Sequence, residues 1–223
     1  MKRKWPGKER RNPSWDNPCK YTLDRIREEV ISFGKNLNPN SVILDFGCGE
    51  KPYYPLLREK SKRYVGVDIS DSPERNPNMN IIIKPGEKIP YPSNYFDAII
   101  CTQVFEHIEN INFYSKELTR VLKPSGQALI SSAFSWDYHP YPHDYWRITE
   151  DGYRHIFKNF TEIKFKYDTN SLQTIIQSLN LLLARKGVKF RSLFFFINFI
   201  LSRINFEKGD GKFPANIFVY LKK

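Results

Sequence analysis

The residues with the most specific chemistry lie between Leu44 and Gly49. There the run Leu44-Asp45-Phe46-Gly47-Cys48-Gly49 sets one carboxylate and two glycines at the end of a short apolar stretch. Glycine lets backbone N–H groups approach a ligand closely, and Pro52 suits the first position of a helix whose positive end would face an anion. Asp45 calls for a cation at the same place. Asp68 follows twenty-three residues after Asp45, the spacing at which an acidic side chain can accept hydrogen bonds from ribose hydroxyls. Ile69 beside it could cover one face of an adenine, and the turn at Gly86 and Glu87 could meet the adenine edge.

A ligand carrying an α-carboxylate and an α-ammonium matches this loop on both charges, as the amino-acid end of S-adenosylmethionine does. A nicotinamide dinucleotide fits less well. Its loop wants G-x-G-x-x-G, but the third glycine position is Pro52 here, and Asp45 would repel a pyrophosphate.

A second concentration of reactive groups follows further along. Phe105-Glu106-His107 comes first, and then Trp136 to Arg147, a stretch holding His139, His143, Asp144 and Arg147 among aromatic and proline residues. Methyl transfer is mainly an alignment problem, with a base needed when the acceptor is a hydroxyl, and a histidine suits that role near neutral pH. His143 is the expected base, with Asp144 orienting it and Arg147 clamping an anionic acceptor. The competing reading is a rigid aromatic and proline lid. Glu106-His107 reads as an organiser of its loop. A metal held by His139, His143 and Asp144 is not expected, because the prolines prevent a helical arrangement of ligands and no cysteine joins them.

These groups need a scaffold, and the flanking patterns supply one. Tyr21 to Leu37 has helical apolar spacing. Ser41 to Phe46, Tyr64 to Asp68, Ile81 to Ile83, Phe96 to Cys101 and Ala128 to Ile130 read as strands. Helices are expected from about Pro52 and over Asn110 to Leu122, the latter stopped by Lys123-Pro-Ser-Gly126. Thr149 caps a short helix, Thr161 to Tyr167 alternates like a strand near a sheet edge, and Asn216 to Leu221 reads as the last strand. Alternation of this kind predicts a parallel sheet with crossovers, and ligands of such sheets gather at the carboxyl ends of the strands.

Four motifs in order, ILDFGCG, YVGVDIS, EKIPYPSNYFDAIICTQVFEHI and ELTRVLKPSGQALIS, resemble the class I S-adenosylmethionine-dependent methyltransferases of the methyltransferase-11 type. The resemblance covers Ser41 to Ser132, about two fifths of the chain. It implies a Rossmann-like α/β fold: a seven-stranded, mostly parallel sheet with an antiparallel last strand and helices on both faces. It also implies S-adenosylmethionine as cofactor, with Asp45, Gly47 and Gly49 at the methionine end, Asp68 at the ribose and Gln103 at the cofactor's centre. The chain departs from the family pattern at Lys51-Pro52, where many relatives have glycine, and at Pro85, where they often have aspartate.

With 223 residues and 40% hydrophobic content, the chain can bury one sizeable core. The expected organisation is a basic N-terminal arm over residues 1–20 and one domain over 21–223, with a helical insertion at about 171–205. The arm reads as a solvated tail, or as a polyanion site given the net charge of +11. Cys19, Cys48 and Cys101 have no paired spacing, so reduced thiols and a cytoplasmic protein are expected. The insertion reads as two core helices, a lid, a dimer surface or a peripheral contact with the inner membrane face. The leading expectation is a methyltransferase acting on a small molecule or a glycan- or lipid-linked intermediate, at oxygen. An RNA methyltransferase and a non-catalytic S-adenosylmethionine-binding protein remain open beside it.

Overall fold

The computed structural model describes residues 7–69, 81–140, 142–203 and 212–223. Tyr141 of the histidine-rich loop, the first six residues of the basic arm and the end of the insertion lie outside the described residues.

The apolar runs become strands because both of their faces are covered. β1 (Ser41–Phe46), β2 (Ser61–Ile69), β3 (Ile81–Ile83), β4 (Phe96–Thr102), β5 (Leu122–Ala133), β6 (Glu162–Tyr167) and β7 (Asn216–Lys222) form one sheet in the order β3-β2-β1-β4-β5-β7-β6. β7 runs antiparallel to both β5 and β6, and the pairs from β3 to β5 are parallel. The expected Rossmann-like sheet, with its antiparallel last strand, is therefore present. β6 closes one edge, and its charged residues Lys164 and Lys166 are exposed between half-buried Ile163, Phe165 and Tyr167.

Alternation along the strands divides the core in two. On one face, Ile26, Val30 and Phe33 of α2 (Lys20–Lys35) pack with Leu57 against Ile43, Ala98, Ile100 and Leu129. On the other, Tyr114, Leu118 and Val121 of α4 (Ile111–Val121) and Tyr153 and Phe157 beside α5 (Glu150–Ile156) cover Leu44, Ile99, Cys101 and Ile130. Each such side chain contributes about 1.5–3 kcal/mol by leaving water. The Asn110 and Thr149 side chains cap α4 and α5, accepting from Phe113 N–H and Gly152 N–H.

Three local expectations change. The helix after the glycine loop is a single turn, α3 (Tyr54–Leu57), followed by a 3-10 turn at Arg58–Lys60. So short an element carries little aligned dipole, and an anion cannot be held there by a long helix. β5 starts at Leu122, directly after α4. Lys123-Pro-Ser-Gly126 is a bulge within it, where the pairing jumps from Phe96–Leu122 to Ala98–Gln127 and Ser125 takes φ 62°. Finally, residues 7–20 do not trail as a solvated tail. α1 (Gly7–Arg11) is tied to the glycine loop by Gly7 N–H donating to Glu50 Oε2 at 3.1 Å and by an Arg11 guanidinium N–H donating to the Pro52 carbonyl at 2.8 Å.

The insertion forms α6 (Ser171–Arg185) and α7 (Arg191–Arg203) between β6 and β7. The side chain of Asn170 caps α6 in a capping box with Gln173.

Candidate cofactor and acceptor site

At the carboxyl ends of β1, β2 and β4, the turns leave a cavity of about 460 Å³, within the range of small-molecule sites. Asp45, Gly47, Gly49, Asp68, Ile69 and Gln103 all line it, as do His107, His139 and Trp136 from the second cluster and Glu9, Arg10 and Cys19 from the N-terminal segment. One space thus joins the glycine loop to the histidines.

The glycine loop is built differently from its sequence reading. Gly47 N–H and Cys48 N–H both donate to the Val67 carbonyl, at 2.8 and 3.2 Å, and Gly49 N–H donates to Asp68 Oδ2 at 2.7 Å. These N–H groups hold the loop to β2 instead of reaching for a ligand. Glycine is required for shape: Gly47 has φ +72°, and a Cβ there would stand 2.2 Å from Val104 Cγ2. Gly66 in β2 serves the same loop, since a Cβ on it would meet Cys48 Sγ at 2.7 Å.

Asp45 is buried and accepts a hydrogen bond from the Tyr64 hydroxyl at 2.6 Å. Burial pushes its carboxyl up to about 7, the Tyr64 bond opposes this, and the nearby Asp68 carboxylate adds to the rise. A carboxyl held at the edge of ionisation beside a cavity suits a ligand that brings its own ammonium group. That donor set fits the amino-acid end of S-adenosylmethionine. Asp68 is also buried, and its Oδ1 accepts from Ile69 N–H at 2.8 Å. Gln103 sits at φ 56° with its N–H on the Ser131 carbonyl at 2.8 Å, so the turn after β4 is locked to β5. Glu87 lies outside the cavity lining. It is exposed, and its Oε2 accepts from Lys84 N–H within its own turn.

In the histidine-rich loop the structure separates neighbours that the sequence could not. His143 is exposed and outside the cavity lining; its carbonyl oxygen, not its ring, engages the site by meeting His107 Nδ1. His139 does line the cavity. Its Nδ1 lies 2.9 Å from the Asp137 carbonyl and 3.3 Å from Asp144 Oδ2, and its ring centroid is 5.0 Å from that of His107 at 84°. The Asp144 side chain is only 1% exposed and holds Arg147 with both oxygens, at 2.5 and 2.8 Å. The Arg147 guanidinium keeps the Asp144 carboxyl down at about 2. Arg147 is therefore a partner of Asp144, with further bonds to the Trp136 and Asp137 carbonyls.

Glu106 forms the floor of this cluster. It is fully buried, its Oε1 accepts from Ala133 N–H at 3.2 Å, and its Oε2 has no hydrogen-bond partner. Burial raises its carboxyl to about 7. Burial also lowers His107, which keeps that imidazole neutral at pH 7. Glu106, His107 and His139 each offer a ligand atom within 4.8 Å of the others, so this set, and not His139 with His143 and Asp144, is where a metal ion could be held.

Sequence reasoning named His107 and His139 but preferred His143 to both, and it missed the N-terminal lining. A signal existed for the first, since His107 follows Gln103 by four residues at the end of a strand whose carboxyl end must face the ligand. None existed for Glu9 and Arg10, whose place depends on contacts more than forty residues away.

Residues 44–130 match the family model described as a methyltransferase domain. Among curated proteins, a tRNA (carboxymethyluridine(34)-5-O)-methyltransferase of Arabidopsis thaliana is 33% identical over 109 residues, 46% of this chain and 26% of that protein. A ubiquinone biosynthesis O-methyltransferase of Dechloromonas aromatica (strain RCB) is 25% identical over 127 residues, covering 52% of this chain and 51% of the relative. The chain thus spans about a quarter and about half of the length of these two relatives. Among solved structures, a SAM-dependent methyltransferase from Archaeoglobus fulgidus superimposes with a TM-score of 0.57 at 18% identity, over 97% of each chain, a likeness of fold. Motif order, strand order and family match agree on a methyltransferase domain over residues 44–130, set in a Rossmann-like sheet.

Proposed function

We propose that the chain transfers a methyl group from S-adenosylmethionine to an oxygen atom of a small-molecule or a glycan- or lipid-linked acceptor. The observation that carries this reading is the single cavity shared by the Asp45–Gly49 loop and the His107–His139 pair. When bound, the cofactor supplies an electrophilic methyl on a sulfonium.

The chain's own residues supply alignment and a base. Asp45 pairs with the ammonium of the ligand, Asp68 accepts from the ribose hydroxyls, and Gln103 and Ile69 bound the space between. His139 is the base. With Nδ1 against the Asp137 carbonyl and Asp144, its proton belongs on Nδ1, leaving the Nε2 lone pair to take the proton of an acceptor hydroxyl. Asp144 then steadies the imidazolium, and Arg147 holds Asp144 in place. His143 supports the site through its backbone carbonyl.

Both curated relatives carry an oxygen acceptor in their names, which favours oxygen here. The test is calorimetry of the purified chain with S-adenosylmethionine, followed by transfer of labelled methyl groups to a panel of quinols, phenols, glycans and tRNA. Saturable binding with label on a hydroxyl acceptor is the expected result; absence of binding would end the proposal. An RNA acceptor is the second reading, favoured by the first relative and by the net charge of +11. Label entering tRNA, with binding that weakens steeply with salt, would select it.

A further inference from the structure

The helix pair of the insertion is built inside out. In α6, Gln173, Thr174, Gln177 and Asn180 are buried, whereas Leu172, Ile175, Leu179 and Leu182 are each at least half exposed. In α7, Asn198 is buried between Phe194 and Leu201, and Phe195, Phe196 and Phe199 face outward. The buried amides have a clear task. Gln177 and Asn180 donate to the Pro18 carbonyl at 2.8 and 3.1 Å, and Asn198 donates to the Trp15 and Asn17 carbonyls at 2.8 Å each. They satisfy the irregular backbone of the segment before α2, which packing against the protein would otherwise strand. Internal packing therefore accounts for the polar side of the pair and leaves the apolar side exposed among the described residues.

Charge points to what covers that side. From Ser171 to Arg203 there is no Asp or Glu, and there are five basic residues: Arg185 and Arg191, which pair with Asp137 and Asp16, and Lys186, Lys189 and Arg203. Lys186 and Lys189 are exposed in the turn joining the helices, next to Phe190. Trp15 is also exposed, its ring 5.6 Å from that of Phe195, and an amphipathic indole suits the boundary between headgroups and acyl chains. A face-to-face pair of copies would bring these like charges together, so a second copy is a poor occupant. No helix among the described residues is long and apolar enough to cross a membrane.

We propose that α6 and α7 are a docking surface for an anionic lipid bilayer, lying in its interface with the leucine and phenylalanine rows inserted and the basic turn toward the headgroups. The surface adjoins the cavity. Arg185 Nε is 2.6 Å from Asp137 Oδ2, a guanidinium N–H of Arg185 donates to the Tyr138 carbonyl at 3.1 Å, and His139 follows directly. Docking would bring the mouth of the site to the membrane surface, where a lipid-linked acceptor would be presented.

Cosedimentation with vesicles tests this without reference to activity. The full chain is mixed with phosphatidylcholine vesicles, with or without phosphatidylglycerol, alongside two variants: Leu179→Glu with Phe196→Glu, and Lys186→Glu with Lys189→Glu. All four positions are exposed, so circular dichroism and S-adenosylmethionine affinity should stay at wild-type values. We expect the wild type to pellet with anionic vesicles in a salt-sensitive way, and each variant to partition about tenfold less or weaker still. Three results would overturn the proposal: no wild-type binding to anionic vesicles, equal binding to neutral ones, or a concentration-dependent dimer dispersed by the Leu179 and Phe196 substitutions.

Discussion

Gly49 N–H donates to Asp68 Oδ2 at 2.7 Å, so the carboxylate assigned to the ribose also holds the loop assigned to the methionine end. The turns after β1 and β2 are thus one mechanical unit, and loosening either disturbs both.

Asp68→Ala removes the proposed ribose acceptor and the anchor of Gly49 together. Hydrogen bonds to a charged group contribute about 1.5–3 kcal/mol each, so S-adenosylmethionine affinity should fall by tenfold or more in calorimetry. Unchanged affinity would remove Asp68 from the site.

Gly47→Ala fails for two separable reasons. Its φ of +72° costs an L residue about 1–2 kcal/mol, and the new Cβ would meet Val104 at 2.2 Å. Adding Val104→Ala relieves only the second. The double variant should therefore recover part of the melting temperature lost by Gly47→Ala, and full recovery would show that the backbone conformation is unimportant.

Asp45 should tie cofactor binding to pH. Its carboxyl stands at about 7 in the fold against the ordinary 3.8, chiefly from burial. The fold favours the protonated form, so this contribution to stability is complete below pH 4 and is lost as pH rises through about 7. Glu106, also raised to about 7 by burial, acts in the same direction. S-adenosylmethionine should reverse the trend at Asp45 by pairing an ammonium with the ionised form, so affinity should rise between pH 5.5 and 7.5. Titrating wild type and Asp45→Asn across that range isolates the residue, and parallel slopes in the two would sink the assignment.

Removing residues 1–11 should weaken cofactor binding. Glu9 and Arg10 line the cavity, and α1 is pinned to Glu50 and Pro52 of the glycine loop. Arg10 is also near enough to Asp45 to lower its carboxyl. Calorimetry on the truncated chain checks this; wild-type affinity would mean that α1 merely rests on the loop.

The strands were readable because β1, β2 and β4 are covered on both faces and appear as short apolar runs ending at chemistry-bearing turns. Ser125, by contrast, lies in a bulge that reads locally as a turn, and only the pairing of Phe96 with Leu122 makes it part of β5. α3 was over-read because Pro52 suits a helix start whether one turn follows or several. In the histidine-rich loop, His139 and His143 are alike in type and each adjoins one proline, so no periodicity says which ring turns inward. The choice depends on Asp144, which is fixed by Arg147 and whose Oδ2 accepts from His139 N–H at 3.0 Å. The reversed polarity of α6 was hidden for a related reason: Gln173, Gln177 and Asn180 look like a solvent face until the Tyr21 hydroxyl is found against the first and the Pro18 carbonyl against the other two.

His139→Ala should lower kcat roughly a hundredfold, the scale of a general base, while leaving S-adenosylmethionine affinity nearly unchanged because the glycine loop is untouched. His143→Ala should be close to wild type, since the alanine retains the carbonyl that meets His107 Nδ1. The comparison distinguishes a ring that acts from a backbone that supports. Asp144→Asn should fall between them, leaving His139 in place but without a full charge to steady its imidazolium. A metal ion held by Glu106, His107 and His139 predicts something else: turnover abolished by a chelator, restored by a divalent cation, and lost equally in Glu106→Gln. If the wild type ignores the chelator and His139→Ala is slow, the base assignment stands; chelator-sensitive turnover would replace the base with a metal at the same three residues.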